Sequence, residues 1–179
     1  MSQPKIETER LVLRPFRITD APAVQRLAGD ARVADTTYSI PHPYEDGVAE
    51  AWISTHARAF ESMEFAVFAV VRLDGGELLG TMGLTIDNDQ RHGELGYWIG
   101  VPYWNNGYAT EAASAIIEYG FSELGLSRIR GWYLVRNPSS GQVMRKAGMQ
   151  FEPEEHRTLE KDGVVEELAC CSISVQHPG

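Results

Sequence analysis

Cysteine is scarce in this chain: among 179 residues there are two, Cys170 and Cys171, and they are adjacent. Neighbouring strand residues point to opposite faces, so this pair does not bridge with itself, and no other cysteine remains for a disulfide or a thiolate metal site. Long apolar runs are also missing. The longest, Phe65 to Val71, is strand-sized and falls far short of the ~18 residues a membrane span needs. Basic blocks are absent too. The 16 Lys and Arg are scattered against 25 Asp and Glu, and no basic run exceeds Arg145-Lys146. The resulting net charge of −9 repels nucleic acid at long range. Met1 to Glu7 carries no apolar signal segment, so a reducing cytoplasm is the expected compartment, with neither membrane nor nucleic acid as partner.

Several catalytic signatures are lacking as well. Gly75 to Thr81 reads GGELLGT, with the glycine spacing of a P-loop but no lysine before the hydroxyl residue, and it fits a hairpin turn better. No G-x-G-x-x-G follows a strand pattern, which leaves a dinucleotide without an anchor. There is no H-E-x-x-H, and the five histidines are dispersed, so no metal is expected. Neither G-x-S-x-G nor a cysteine–histidine pair offers a covalent nucleophile.

What is present is an ordinary globular composition, 43% hydrophobic and 23% charged, with no repeat, low-complexity tract or linker. One domain over 1–179 is expected, long enough to bury roughly 70% of its unfolded surface. Strand patterns occupy 10–16, 64–72, 78–87, 93–100, 128–135, 149–158 and 165–175. Helices are predicted over 20–28, capped by Thr19 or Asp20; over 47–62, capped by Asp46; over 107–124, with an apolar stripe from Ala109 to Leu124; and over 137–148, with Asn137 as cap and Pro138 at the first helical position. Residues 36–46 read as a loop with two prolines. A strand–helix–strand crossover from 93 to 135 implies one parallel pair in an otherwise antiparallel sheet.

The segment from Glu94 to Ala112 carries the chemistry. A strand ends near Gly100, a turn rich in Asn and Gly follows, and a long helix opens near Gly107. The first turn of a helix has unpaired N–H groups and the positive end of the dipole, and small Gly107 and Ala109 let a bulky anion reach them. Such binding reconciles a polyanionic ligand with a net charge of −9. The residues alone fit an ordinary capped helix after a strand equally well.

Trp104-Asn105-Asn106-Gly107-Tyr108-Ala109 resembles the acyl-CoA pyrophosphate loop, Q/R-x-x-G-x-G/A, of the GNAT superfamily of N-acetyltransferases, with Trp in the leading place. That departure is usual in the branch of the ribosomal-protein alanine N-acetyltransferases (RimJ/RimL-like). Thr8 to Pro15, Pro41 to Tyr44 with the Trp52-Ile53 helix, and Asn137 to Ser140 through Lys146-Ala147-Gly148-Met149 resemble further motifs of that branch in the same order. The resemblance implies an α+β GNAT fold: a mixed, mostly antiparallel seven-stranded sheet, about four helices, and a parallel fourth/fifth strand pair splayed at the acyl-CoA site. It implies acetyl-CoA as co-substrate, no metal, and transfer to a primary amine in a ternary complex. The acceptor it implies is a protein N-terminus or a small amine such as a polyamine or amino sugar, with a non-catalytic acyl-CoA sensor as the rival, and a monomer or homodimer is expected. Backbone at Ile99, Gly100 and Val101 would meet the pantetheine arm. N–H groups from Asn105 or Asn106 through Gly107, Tyr108, Ala109 and Thr110 would hold the pyrophosphate. Asn137 would bond the pantetheine or the amine, and Lys146 the 3′-phosphate unless it is only a solvated helix residue. Glu94 is the candidate base, or else a solvated strand-end carboxylate. Ser140 is the candidate acid, or else a hydroxyl bonded to its own backbone. Tyr38, His42 and Tyr44 would wall the acceptor site, while Trp98 and Trp104 are expected to pack.

Overall fold

Alternation along the strands decides which face is buried. In β2 (Leu11–Arg14) both leucines are wholly buried while Val12 and Arg14 are half-buried, the period-2 pattern of a sheet with one better-covered face. The computed structural model describes residues 3–175; Met1, Ser2 and residues 176–179 of the expected 1–179 domain lie outside the described residues. One sheet also holds β1 (Ile6–Glu7), β3 (Phe65–Arg72), β4 (Leu78–Asp87), β5 (His92–Ile99), β6 (Arg128–Leu134), β7 (Gln150–Lys161) and β8 (Val164–Ser174), in the order β1-β2-β3-β4-β5-β6-β8-β7. Every neighbouring pair is antiparallel except β5/β6.

The described sheet therefore has eight strands rather than the expected seven. The addition is the two-residue β1, which folds back onto Leu13 and Val12 and is too short to leave a pattern in the sequence. It shifts the count, so the parallel pair expected as fourth and fifth is β5/β6. Five α-helices are described rather than about four: α1 (Ala21–Ala28), α2 (Ala31–Thr36), α3 (Val48–Glu61), α4 (Tyr108–Ser122) and α5 (Pro138–Lys146). The unexpected one is α2, capped by the Asp30 carboxylate, which accepts from Arg32 N at 2.9 Å.

Three expected caps act elsewhere: the Asp20 carboxylate, at the start of α1, accepts instead from Arg17 N at 2.8 Å and from Arg14 at 2.7 and 2.8 Å. Asp46 accepts from Gln25 Nε2 at 2.6 Å, and the cap position of α3 is held instead by Gly47, whose φ of 86° favours glycine. Asn137 occupies the cap position of α5, but its amide donates to Thr36 O at 3.2 Å.

Helices cover both faces. Ala112, Ala113 and Ile116 of α4, with Met144 of α5, pack on Leu84, Leu95 and Ile129. Val24, Leu27 and Ile53 of α1 and α3 pack on Ala69, Val71 and Trp98. Cys170 and Cys171 are buried in different clusters on opposite faces of β8, as their adjacency implied. Burial pushes the Cys170 thiol up to about 12, which keeps it an unreactive core residue.

Candidate active site

The site begins where the parallel pair comes apart. β5 and β6 are paired only over His92–Leu95 and Arg128–Gly131, although β5 continues to Ile99 and β6 to Leu134. Gly100 N donates to Leu79 O at 2.8 Å, toward β4. Successive backbone groups of a strand alternate in direction, so those of Ile99 and Tyr97 face the opened wedge. The Ile99 carbonyl accepts from the indole of Trp104 at 2.6 Å, so Trp104 supports the wedge besides packing.

The turn before α4 is held tightly. Asn105 and Gly107 both have positive φ, 61° and 78°. The Asn106 amide folds back onto Trp104 O at 2.8 Å and Tyr103 O at 3.1 Å. The first bond of α4 runs from Glu111 N to Gly107 O, 3.0 Å, which leaves the N–H groups of Tyr108, Ala109 and Thr110 without helical partners. Arg10 braces this turn: its guanidinium donates to Asn106 O at 2.9 Å and to Glu111 at 2.7 Å, and stacks 4.8 Å from the centre of the Tyr108 ring. Glu111 also accepts from Thr8 Oγ1 at 2.6 Å and Arg10 N at 2.8 Å. Burial raises the Glu111 carboxyl, but these donors outweigh it and leave the group below its usual value.

Two cavities meet at the wedge. One of about 370 Å³ is lined by Ile99, Asn105, Gly107, Tyr108, Ala109, Thr110, Asn137, Ser140 and Lys146 among others, bringing together most of the expected cofactor residues. Gly100, Val101 and Asn106 do not line it. Gly100 uses its N–H on Leu79 and its carbonyl on Tyr103 N, the Val101 carbonyl accepts from Trp104 N, and the Asn106 amide is spent on the turn. The second cavity, about 640 Å³, contains Tyr38, Tyr44, Glu94 and Ser140. His42 lines neither; it faces a separate outer hollow beside Arg136 and Lys161.

Thr36, Thr37, Tyr97, Trp98 and Ser140 line both main cavities and so mark their junction. Tyr97 was not legible in advance. Its hydroxyl lies 2.7 Å from Ser140 Oγ and 3.1 Å from Ser140 O, and burial pushes its pKa up to about 12. Trp98, expected only to pack, does pack and also reaches both cavities. Glu94 Oε2 has Arg157 at 3.7 Å and Arg130 at 3.9 Å, neither foreseen. Among the described residues no cluster of His, Cys, Asp or Glu is suited to a metal, and no helix is long and apolar enough to cross a membrane.

A family profile described as acetyltransferase (GNAT) domain matches residues 10–150. The chain is 33% identical over 150 residues to the uncharacterized N-acetyltransferase YoaA of Bacillus subtilis, covering 83% of this chain and 84% of that one. Its fold overlays on a GNAT-family acetyltransferase from Bacillus anthracis with a TM-score of 0.83 at 26% identity, covering 96% and 98% of the two chains. It also overlays on a ribosomal-protein-S5-alanine acetyltransferase from Vibrio fischeri, TM-score 0.82 and 20% identity over 96% of each, a likeness of fold.

Proposed function

Because the chain belongs to the GNAT family and is an acetyl-CoA-dependent N-acetyltransferase, we propose that the two joined cavities divide the reaction between cofactor and acceptor. The observation that carries this reading is the junction itself: Tyr97 and Ser140 are shared by a cavity ending on free helix N–H groups and by one containing a single carboxylate, Glu94. The smaller cavity suits acetyl-CoA. The N–H groups of Tyr108, Ala109 and Thr110 would hold the pyrophosphate, Lys146 the 3′-phosphate, and the wedge backbone of Tyr97 and Ile99 the pantetheine arm. When bound, acetyl-CoA supplies the activated acetyl thioester.

The protein would handle the protons. An acceptor amine is largely protonated at neutral pH and attacks only as the free base, so Glu94 would take that proton, directly or through water. Ser140, held by Tyr97, would donate toward the departing thiolate. The acceptor is a primary amine, either a protein N-terminus, as in the ribosomal-protein branch, or a small molecule.

The test is CoA-SH release over a panel of N-terminal peptides and small amines, with products identified by mass spectrometry. Glu94→Gln keeps the shape and removes the basicity. It should lower kcat by about 10²–10⁴-fold, leave acetyl-CoA affinity nearly constant and be partly rescued at higher pH. A raised acceptor KM with unchanged kcat would make Glu94 a positioning group instead. Tight CoA binding without turnover of any amine would favour a sensor.

A further inference from the structure

Four arginines of the β6–β7 region are partnered very differently. Arg128 donates to Glu155 at 2.9 Å and to Ser172 at 3.2 Å, and Arg136 is bonded to Glu166 at 2.9 Å with Asp35 at 3.1 Å. Arg130 and Arg157 are different. Among the described residues their one carboxylate within 4 Å is Glu94, at 3.9 and 3.7 Å, beyond hydrogen-bond length, and neither guanidinium donates a hydrogen bond to them. Arg157 is held instead by stacking, 4.1 Å from the centre of the Trp132 ring. It reaches there from the edge strand because the register of β7 shifts between Glu152 and His156. Both guanidinium groups thus stand beside Glu94, and Arg157 also beside Trp132, two residues that line the larger cavity.

The charge arithmetic disfavours a polycation. Glu94 is the one ionisable acid among the residues lining the larger cavity, and no lining residue is basic. That one carboxylate already faces two guanidinium groups, so a second ammonium in the cavity would find no free carboxylate as partner. The remaining walls are largely aromatic, from Tyr38, Tyr44, Trp52, Phe65, Trp98 and Trp132. A volume near 640 Å³ suits a small molecule.

We infer that the acceptor is a small amphoteric amine: an aromatic or apolar body with one amine presented to Glu94 and a carboxylate received by Arg130 and Arg157. This rests on the N-acetyltransferase reading for the amine and adds the anion. The fork of donors on each guanidinium matches a carboxylate, and the Arg groups lie within 4 Å of Glu94, so both ends of one amino-acid-like molecule are served.

The experiment compares phenylalanine, phenylalanine amide, phenethylamine and spermidine by CoA-SH release. In parallel, calorimetry measures binding of N-acetylphenylalanine and N-acetylphenylalanine amide to the protein loaded with CoA. The carboxylate compound should be preferred over its amide by roughly tenfold to hundredfold in both assays. Arg157→Gln and, independently, Arg130→Gln should bring that ratio toward one in protein that melts normally. Equal or better use of the amide, phenethylamine or spermidine overturns the inference, as does failure of both acetylated probes to bind or a ratio unchanged in both variants. Carboxylate-selective binding without thiol release from any amine would instead remove the transfer reading and leave the acceptor class standing.

Discussion

The hydroxyl of Tyr97 has one proton and two acceptors on the same residue, Ser140 Oγ at 2.7 Å and Ser140 O at 3.1 Å. When the proton goes to Oγ, the serine is left free to donate its own toward the smaller cavity. Burial pushes the phenol up to about 12, so it remains a neutral donor across the physiological range. Tyr97→Phe keeps the ring and removes this tether. We expect kcat to fall about tenfold with acetyl-CoA affinity little changed, and stability to fall by about 1 kcal/mol for the lost hydrogen bond. A double-mutant cycle with Ser140→Ala separates positioning from packing: if Tyr97 acts through Ser140, its effect on kcat vanishes in the Ser140→Ala background. Additive losses would mean that the two hydroxyls act independently.

At the scale of elements, the cavity proposed for the acceptor depends on the segment that follows α2. The C-terminal end of α2 exposes carbonyls carrying the negative end of its dipole, and Lys161 Nζ, at the end of β7, donates to Ala34 O and Thr37 O. Asn137 adds a bond to Thr36 O from the start of α5, at 3.2 Å. The β7–β8 hairpin and α5 thereby hold the carbonyls of Ala34, Thr36 and Thr37 from two sides. Lys161→Met removes the charge and keeps the stem. It should raise the acceptor KM severalfold with acetyl-CoA affinity little changed, since the N–H groups proposed for the pyrophosphate lie on α4; isothermal titration with CoA beside steady-state kinetics checks this. Equal loss on both substrates would place Lys161 in general stability.

None of that clamp was visible in the sequence, and the reason is physical. Strands such as Leu11–Arg14 and the α4 stripe announce themselves because burial repeats along them. The turn before α4 shows itself through glycine and asparagine, which accept the positive φ it requires. Helix α2 has six residues, too few for a period to develop. Lys161 and Arg157 act across more than a hundred and about sixty residues, on Ala34 and Glu94 respectively, through the turn and register shift of a hairpin. A local pattern carries no trace of such contacts. Glu94 and Ser140 were legible as candidates, whereas their partners were not.

Over the whole molecule, acid acts on several groups in one direction. Burial lowers His56 from 6.5 to about 4; both ring nitrogens are buried without hydrogen-bond partners, and the ring packs edge-on against Phe16 and Trp52 at 5.3 and 4.4 Å. Burial raises the Asp20 carboxyl, but Arg14, at 2.7 and 2.8 Å, and Arg17 N, at 2.8 Å, hold it below 3.8. In each case the folded value lies below the unfolded one. The associated stability is therefore present above the unfolded value and is lost as pH falls through the folded one. The windows differ. His56 should withdraw about 3 kcal/mol between pH 6.5 and about 4, and the carboxylate contributions should follow below that. Down to the isoelectric point near 5.0, relief of the −9 charge has the opposite sign, since protonation toward neutrality reduces self-repulsion, so a fall in stability above about pH 5 cannot come from net charge. Urea unfolding from pH 7 to 3 at low protein concentration measures the slope directly. His56→Phe should flatten it over that window and leave the later carboxylate loss intact, whatever repacking beside Phe16 and Trp52 does to absolute stability. A slope equal to that of the parent protein would show that the buried histidine does not govern the acid response.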